Sequence, residues 1–362
     1  MRSLRARGSA RDEKTSPMPR IQPAELLAFT REVIAALGTP PDAAAEVADH
    51  LVGANLAGHD SHGVIRLPQY AEHVRAGKVQ PGERPAVVCE ASSTALVDGH
   101  WTWGQVTAGL VTRLAVAKAR ARGTAVVAAR ACYHIGRAGV YALQAAKEGC
   151  IALLYANAHG VARVAPWGGT DAKLATNPIA AAVPTRTSPI LVDITTSVVA
   201  EGKVRLARNS GKPIPEGWVL DRDGRPSTQP ADLYEGGTLL PLGGREGHKG
   251  YGLSVICDLL GGMLTGAGAG FLTTTVGNGI YLHVTDPEAF DTSSAFLDRV
   301  DEYVHYLKSS ARKPGVDEIL LPGEPELRGE ARRRAEGLEI DATTWKQVSD
   351  LARSLGLHPP AL

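Results

Sequence analysis

The sequence predicts an α/β protein in which helices flank a β-sheet. Between residues 92 and 285, short apolar runs of strand length alternate with amphipathic stretches of helix length. Before and after this region, at 20–91 and 286–362, apolar residues recur mainly at helical spacing. The chain also has 40 glycines in 362 residues, more than average usage, which indicates many tight turns and short connections.

The N-terminal part is predicted to be a leader followed by two helices. Residues 1–19 are basic and polar and lack the apolar core of a signal peptide, so we expect a disordered leader. A first helix is predicted to begin at Pro23, because proline suits the first helical turn and an apolar stripe follows, and to end at Gly38. A second helix is predicted to begin near Asp42 and to lead to His59.

The remaining elements follow from the strand and helix periodicities. Strands are predicted at residues 94–97, 124–129, 151–156, 179–183, 190–194 and 279–284. Helices are predicted at residues 105–120, 138–147, 198–207, 250–264, 294–309 and 343–354. The polar segment 313–336 is expected to run over the surface between the last two helices.

Composition argues against several classes of partner. Lys plus Arg number 39 against 38 Asp plus Glu, a formal net charge of +1, so neither nucleic acid nor an anionic membrane surface is expected. No apolar stretch approaches the length of a membrane span. The four cysteines show no CxxC spacing and lie in apolar surroundings, so we expect them to be reduced core residues in a cytoplasmic protein.

One short stretch concentrates groups that carry chemistry. From His59 to Tyr70 the sequence reads His-Asp-Ser-His-Gly-Val-Ile-Arg-Leu-Pro-Gln-Tyr. If Ser61 begins a helical turn, His62 and Arg66 project from one face, where an imidazole lies beside a guanidinium suited to a carboxylate. Such a pair fits a small acid with a carbonyl or hydroxyl next to its carboxylate. The alternative is that Ser61 is an ordinary N-cap and Arg66 a solvated helix residue.

Three further motifs have both a functional and a structural interpretation. His134, in Tyr-His-Ile-Gly-Arg-Ala-Gly, lies just before a predicted helix, whose N-terminus is a good site for anions. The alternative is a loop histidine whose ring is hydrogen-bonded to a neighbouring carbonyl. Asp193 lies at the end of a predicted strand, just before a run of hydroxyl residues. A carboxylate there can hold ribose hydroxyls or orient a catalytic imidazole, and the structural alternative is a helix N-cap. The glycine-rich segment 240–252 with Lys249 has the chemistry of a phosphate cradle, or is a flexible loop.

Several common catalytic motifs are absent from the sequence. No GxGxxG follows a predicted strand, so a nicotinamide cofactor would need a fold other than the Rossmann fold. GxSxG is missing, which argues against a serine hydrolase. HExxH and acidic clusters are missing as well, so no metal site is expected at His59 and His62.

Five motifs in order resemble the type 2 malate/L-lactate dehydrogenases, NAD(P)-dependent oxidoreductases that are distinct from the Rossmann lactate and malate dehydrogenases. The motifs are Ser61-His62-Gly63 with Arg66 and Tyr70, His134 to Gly139, Thr176-Asn177-Pro178, Asp193 to Ser197, and Pro241 to Gly252. They lie within a resemblance that covers roughly residues 22–330.

The resemblance implies a cofactor domain at 92–285, built on a largely antiparallel sheet flanked by helices. It also implies a helical domain made from both chain ends, with 20–91 serving substrate binding and dimerisation and 286–362 packed against it. The assembly implied is a homodimer or a higher homo-oligomer.

The resemblance further implies the site residues. His62 is expected to be the proton donor or acceptor at the substrate oxygen, and Ser61, Arg66, Tyr70 and His134 are expected to line the pocket. The expected contacts to NAD or NADP are Pro189, Ile190, Leu191, Val192, Asp193, Ile194, Thr195, His248, Lys249, Gly323, Glu324 and Pro325.

The expected reaction is reversible hydride transfer between C4 of the nicotinamide and C2 of a small 2-oxo/2-hydroxy acid. His62 would supply the proton to the carbonyl oxygen, and Arg66 would hold the carboxylate bidentately. The same resemblance covers cyclic imino acid reductases and ureidoglycolate, sulfolactate and diketo-sugar-acid oxidoreductases, and no residue separates these substrates. Outside the family, the alternatives are a catalytically silent binding or scaffolding protein and a metal-dependent hydrolase.

Overall fold

The computed structural model describes residues 20–361, so the predicted leader lies outside the described part. Its helices are α1 Pro23–Ala36, α2 Pro41–Leu56, α3 Leu67–Arg75, α4 Gly104–Arg122, α5 Gly139–Lys147, α6 Glu201–Asn209, α7 His248–Cys257, α8 Ser293–Lys308, α9 Glu324–Glu336 and α10 Ala342–Ser354. Its strands are β1 Arg20–Ile21, β2 Ala86–Glu90, β3 Thr94–Asp98, β4 Thr124–Cys132, β5 Ile151–His159, β6 Ile179–Val183, β7 Ile190–Ile194, β8 Val219–Leu220, β9 Pro226–Ser227, β10 Thr238–Leu239, β11 Gly277–Thr285 and β12 Leu338–Glu339. All the predicted strands and most of the predicted helices are confirmed.

The main sheet has the strand order β2-β3-β4-β11-β5-β6-β7. Every neighbouring pair is antiparallel except β3 with β4. Short connections allow this pairing, since β6 and β7 are joined by a turn at 184–189, as antiparallel neighbours can be. The predicted largely antiparallel sheet flanked by helices is therefore confirmed, and its topology differs from the parallel Rossmann sheet.

Alanine-rich helices cover one face of this sheet. α4 and α5 pack on β4, β5 and β6, and alanines make up much of the core between them. Ala129, Ala156 and Ala182 are completely buried there, so the helices approach the strands closely. The opposite face is partly covered by α7 and by the π-helical segment Asp258–Met263 that follows it.

A second core joins the two ends of the described chain. Leu26 of α1, Leu51 of α2 and Tyr70 of α3 pack together with Val348 and Leu351 of α10. β1 and β12 pair antiparallel and hold the same ends together. α9 packs on α2, whereas α8 buries none of its residues. The helical packing between the chain ends therefore runs through α9 and α10.

A third, smaller core was not predicted. It lies between the three-stranded sheet β10-β8-β9 and α6, and it contains the buried residues Val164, Val204, Val219 and Leu239. Strands of two residues are too short to show a periodicity. This unit carries α6, in which Gly202 packs against Ser61 of the loop at residues 60–66.

Three other elements differ from the prediction. β2 begins the sheet before residue 92, and all of its residues are exposed, so it shows no alternation of buried and exposed positions. α9 lies within segment 313–336 and buries no residue, so it has no apolar stripe. The helix predicted at 250–264 begins at His248 and becomes π-helical at Asp258, where it packs on the sheet.

Gly279 of β11 provides a test of this packing. A Cβ atom there would lie 1.8 Å from the carbonyl oxygen of Gly261 in the π-helical segment. We expect Gly279→Ala to lower the free energy of unfolding by about 1–3 kcal/mol, because the two backbones must move apart. Urea denaturation measures this change.

Gly329→Ala is the matched control for this substitution. A Cβ at that position in the middle of α9 meets no atom within 4 Å. The control should leave stability unchanged or raise it by up to about 1 kcal/mol, because alanine favours helix. A loss in the control as large as that in Gly279→Ala would contradict the packing argument.

Candidate active site

The predicted helical turn at Ser61 is split in two. Asp60–His62 and Val64–Arg66 each form one 3-10 turn, and Gly63 between them is extended, with φ −91° and ψ −153°. The expected placement of His62 and Arg66 at i and i+4 of one helix is therefore wrong.

Asn55, near the end of α2, causes the split. Its Oδ1 accepts a hydrogen bond from Val64 N at 2.9 Å, and its Nδ2 donates to Asp60 Oδ1 at 2.7 Å. It packs so closely on Gly63 that a Cβ there would lie 2.2 Å from Asn55 Oδ1. Both turns are thus tied to α2 by a contact that short-range spacing does not reveal.

The loop brings Ser61, His62 and Arg66 together despite the split. Ser61 Oγ and His62 Nδ1 are 3.1 Å apart, and Arg66 Nε donates to the Ser61 carbonyl at 2.6 Å. Arg66 Nη1 donates to Gln69 Oε1 at 2.9 Å, whereas Nη2 makes no hydrogen bond with residues 20–361. Nη2 and the second N–H of Nη1 are therefore free to hold a carboxylate.

His134 and Tyr70 complete this cluster. The His134 ring lies nearly parallel to the His62 ring, with the ring centroids 5.7 Å apart. His134 Nδ1 is 2.8 Å from Tyr70 Oη, and Tyr70 is completely buried. The structure thus places all five predicted catalytic residues in one cluster, and their roles stay predictions.

Burial keeps the imidazoles of this cluster neutral. Burial, followed by the Arg66 charge, lowers the pKa of His62 to about 3. The same two causes hold the pKa of His134 well below its ordinary value. Burial raises the pKa of Tyr70 to about 12. At neutral pH the cluster therefore contains two neutral imidazoles, a neutral phenol and the Arg66 cation.

A cavity of about 350 Å³ opens beside the cluster. Of the five predicted catalytic residues, Arg66 and His134 line it. His62 adjoins the cavity through its stacked partner His134. A cavity of this size suits a small molecule.

The other charged groups of the cavity were not predicted. Arg163, Arg205 and Glu201 lie on its wall, and Arg205 Nη2 is 3.7 Å from Glu201 Oε2. Together with Arg66, three arginines face one carboxylate, so the cavity favours anionic ligands. In the sequence, Glu201 and Arg205 have the spacing of an ordinary surface pair on a helix, and only the fold brings Arg163 to them.

Asp193 links the predicted cofactor segment to the loop that carries His134. Its Oδ2 accepts a hydrogen bond from Gly139 N at 2.9 Å, in the first turn of α5, and lies 3.4 Å from Arg137 Nε. Arg137 is only 6% exposed, and its Nε makes no hydrogen bond within the described chain. Asp193 therefore caps α5 rather than α6, and the buried Arg137, which was not predicted, balances its charge.

Two of the predicted cofactor segments meet at β7. Leu191 N donates to the Pro322 carbonyl at 3.1 Å. Gly323 packs against Leu191 with φ +91°, a conformation that glycine adopts without strain, and a Cβ there would lie 2.9 Å from Leu191 Cβ. Segments 189–195 and 323–325, far apart in sequence, are therefore adjacent.

A second cavity, of about 420 Å³, lies at this junction. Pro189, Ile190 and Glu324 line it together with side chains of α8. His248 and Lys249 do not line it and are exposed at the start of α7. The structure therefore brings two of the three predicted cofactor segments to one cavity.

A sequence model of the malate/L-lactate dehydrogenases matches residues 21–349. The chain belongs to the malate/L-lactate dehydrogenase family. It is 38% identical to a malate dehydrogenase of Pyrococcus horikoshii, over 94% of this chain and 96% of that one. It is 35% identical to an L-sulfolactate dehydrogenase of Methanothermobacter thermautotrophicus, over 94% and 98% of the two chains. A solved structure of Δ1-piperideine-2-carboxylate reductase from Pseudomonas syringae pvar. tomato is similar in fold, with a TM-score of 0.81 and 30% identity over 92% of this chain and 100% of that one.

Family membership confirms the predicted resemblance and the predicted enzyme class. The protein is a hydroxy acid dehydrogenase of a family that uses nicotinamide cofactors. Across residues 20–361, no helix is both long enough and apolar enough to cross a membrane. In the same range, no group of three or more His, Cys, Asp or Glu side chains is arranged to hold a metal ion.

The lowered pKa of His62 is directly testable. We expect its imidazole to stay neutral from pH 8 to pH 5 in the folded protein, because its pKa of about 3 lies below that range. In the urea-unfolded chain it protonates near pH 6.5. Since the unfolded chain then binds more protons, this histidine makes the free energy of unfolding fall as the pH drops below about 6.5.

NMR titration of histidine-labelled protein measures this pKa, and His62→Asn assigns the signal. The unfolded chain in urea is the control for ordinary titration. A His62 signal that titrates between about pH 6 and pH 7 in the folded protein would contradict the effect assigned to burial.

Proposed function

We propose that the protein transfers a hydride reversibly between a nicotinamide cofactor and C2 of a 2-oxo/2-hydroxy acid that carries a second anionic group. The observation that supports this substrate class is the cavity beside His134, where three arginines face one glutamate. A monocarboxylate such as lactate engages one cationic group, whereas a dicarboxylate or a sulfonated acid engages two. Malate and sulfolactate, for which two relatives are named, each have two anionic groups.

Arg66 is proposed to hold the carboxylate next to the reacting carbon. Its free N–H groups on Nη1 and Nη2 can donate side by side to the two carboxylate oxygens. Such a bidentate contact decides which face of the substrate carbon is presented for reaction. Arg163 and Arg205 would bind the second anionic group.

His62 is proposed to move the proton to and from the substrate oxygen, which typically contributes about 10²–10⁴ in rate. A bound nicotinamide cofactor supplies or accepts the hydride. Because His62 is neutral in the folded protein, it is ready to accept the hydroxyl proton in the oxidative direction. In the reductive direction, an anionic substrate offsets the charge of Arg66 and raises the proton affinity of His62.

The charges at the second cavity favour NAD over NADP. Lys308 pairs with Glu324 at 2.6 Å, and Arg328 pairs with Glu318 at 2.7 Å. Asp301 adds another carboxylate to the wall. Lys308 and Arg328 are each held by a hydrogen bond to a carboxylate, unlike Arg205, which lies 3.7 Å from Glu201 without a hydrogen bond to it. This disfavours a 2′-phosphate, whereas carboxylates suit ribose hydroxyls. The lining therefore fits the unphosphorylated ribose of NAD.

A spectrophotometric panel tests this function. Purified protein is mixed with NADH or NADPH and with oxaloacetate, 3-sulfopyruvate, pyruvate or a cyclic imino acid, and the loss of reduced-nicotinamide absorbance is followed. We expect kcat/KM with NADH and a dianionic 2-oxo acid to exceed that with pyruvate by about tenfold or more, which is the effect of one added charged contact.

Two results of the panel would contradict the proposal. Equal kcat/KM for pyruvate and for the dianionic acids would show that the enzyme does not recognise a second anionic group on its substrate. Oxidation of NADH or NADPH only in the presence of a cyclic imino acid would identify the protein as a cyclic imino acid reductase, the activity named for the structural relative.

Arg205→Leu tests the contact to the second anionic group. It should raise KM for the dianionic substrate by about tenfold, the loss of about 1.4 kcal/mol, and leave KM for pyruvate within about twofold. Lys203→Leu is the matched control, because Lys203 is exposed on the same helix and does not line the cavity. A rise of equal size for both substrates, or in the control, would contradict this role of Arg205.

We also propose that the protein is a homodimer. Leu253, Ile256, Leu259 and Met263 are 39–49% exposed along α7 and the π-helical segment. Their spacing places them on one side of the helix, and exposed apolar surface of this kind marks protein interfaces. A second copy of the chain would bury this stripe, in agreement with the homo-oligomer that the family resemblance predicts.

Ile256→Glu combined with Leu259→Glu should convert the dimer to a monomer. In a dimer of this variant, two charges from each chain would be buried without partners. Light scattering during size-exclusion chromatography measures the mass. Phe290→Glu is the control, since Phe290 is apolar and 81% exposed but lies outside the stripe, and it should stay dimeric. A double variant that stays dimeric would place the interface elsewhere.

A cytoplasmic location is part of this proposal. The cysteines Cys89, Cys132, Cys150 and Cys257 are all unpaired. The expectation that all four lie in the core is wrong for Cys89, which is exposed on the edge strand β2. Unpaired cysteines are typical of proteins in reducing compartments. A dehydrogenase that depends on a diffusible nicotinamide cofactor also works where that cofactor is present.

A further inference from the structure

A buried chain of hydrogen bonds runs from α4 to the ring of His134. Gln105, in the first turn of α4, is 1% exposed and does not line either cavity. Its Nε2 donates to Tyr70 Oη at 2.8 Å, and Tyr70 Oη is 2.8 Å from His134 Nδ1. Three side chains from different elements therefore connect the core of the protein to the substrate cavity.

The direction of this chain follows from the groups it contains. An amide nitrogen can only donate, so Tyr70 Oη accepts from Gln105, and its single proton is directed to His134 Nδ1. Gln105 Oε1 is buried and makes no hydrogen bond with any described residue. The reverse amide orientation would leave the two N–H donors unpaired instead, and buried unpaired donors are rarer than buried unpaired carbonyl oxygens. The order from Gln105 through Tyr70 to His134 is therefore favoured.

This order decides which nitrogen of His134 carries the proton. Nδ1 accepts from Tyr70, so in the neutral ring the proton is on Nε2. His134 lines the substrate cavity, and Nε2 is its remaining polar atom. The ring can therefore donate to a ligand through Nε2 but cannot accept a proton there.

We propose that Gln105 is a positioning residue which, through Tyr70, fixes His134 as a hydrogen-bond donor to an oxygen of the substrate. The proposal rests on the proposed function, since it divides the work between the two histidines: His62 exchanges the proton and His134 holds the oxygen. A carbonyl oxygen has two lone pairs and can accept from both rings at once. An imine nitrogen has one lone pair, so the arrangement favours a 2-oxo acid over a cyclic imine.

The tautomer of His134 can be read by NMR without substrate. Long-range proton–nitrogen correlation spectra of histidine-labelled protein distinguish the two neutral tautomers, and His134→Asn assigns the signal. We expect the Nε2-protonated form in the wild type. A wild-type ring protonated on Nδ1 would overturn the proposal without any further variant.

Two variants at Gln105 test its control of the tautomer. When its carboxyl is ionised, Gln105→Glu supplies only acceptors in place of the donor, so Tyr70 should donate to it and His134 should shift toward the Nδ1-protonated form. Gln105→Met removes the donor at similar length, and the two tautomers should mix. In both variants we expect kcat for the 2-oxo acid to fall by about tenfold or more, with the Kd of NADH changed by less than about threefold.

Thr102→Val is the matched control for burial and folding. Thr102 is completely buried just before α4, and its Oγ1 makes no hydrogen bond within residues 20–361. This variant should change neither the tautomer nor kcat. Variants at Gln105 that keep the wild-type tautomer and kcat would overturn the role of Gln105.

The two readouts separate this proposal from the proposed function. A wild type that shows the Nε2-protonated ring but no turnover with any 2-oxo acid would overturn the proposed function and leave the hydrogen-bond chain intact. If the enzyme turns over but the His134 tautomer does not respond to Gln105→Met, the positioning role is overturned and the function stays intact.

Discussion

The loop at residues 60–66, which carries His62 and Arg66, depends on the contact between Asn55 and Gly63. Asn55 is 2% exposed, and its amide is used at both ends, as acceptor from Val64 N and as donor to Asp60. Loss of that acceptor would leave a buried backbone N–H unpaired, at a cost of about 1–3 kcal/mol. Because Asn55 binds one turn through Asp60 and the other through Val64 N, with Gly63 packed against it between them, His62 and Arg66 are presented from separate turns.

The other half of the site is held by the sheet. β4 ends at Cys132 and delivers His134, while Asn278 of β11 accepts from Ile135 N at 3.0 Å and donates to the Asn157 carbonyl at 2.8 Å. Three adjacent strands thus fix the loop that follows β4. The two histidines therefore come from different cores, one helical and one built on the sheet. The cavity proposed to bind the substrate adjoins the place where their rings stack.

Sequence periodicity predicted the regular elements better than the site. β6 and β7 were predicted with their observed bounds, because each is a short apolar run between turn residues. The motifs identified the residues that cluster around His62, but not which of them line the cavity. The split at Gly63 and the positions of Arg163 and Arg205 depend on contacts between elements that are distant in sequence. α9 was missed for a different reason, since a helix without buried residues has no apolar stripe.

The kinetics of His62→Ala test most directly whether His62 exchanges the proton during hydride transfer. With NADH and the best 2-oxo acid of the panel, kcat should fall by about 10²–10⁴-fold, because a positioned acid–base group contributes that much. The Kd of NADH, measured by fluorescence titration, should change by less than about threefold, because His62 is assigned no part in holding the cofactor. Turnover within a few-fold of the wild type would show that His62 does not exchange the proton and would contradict the proposed mechanism.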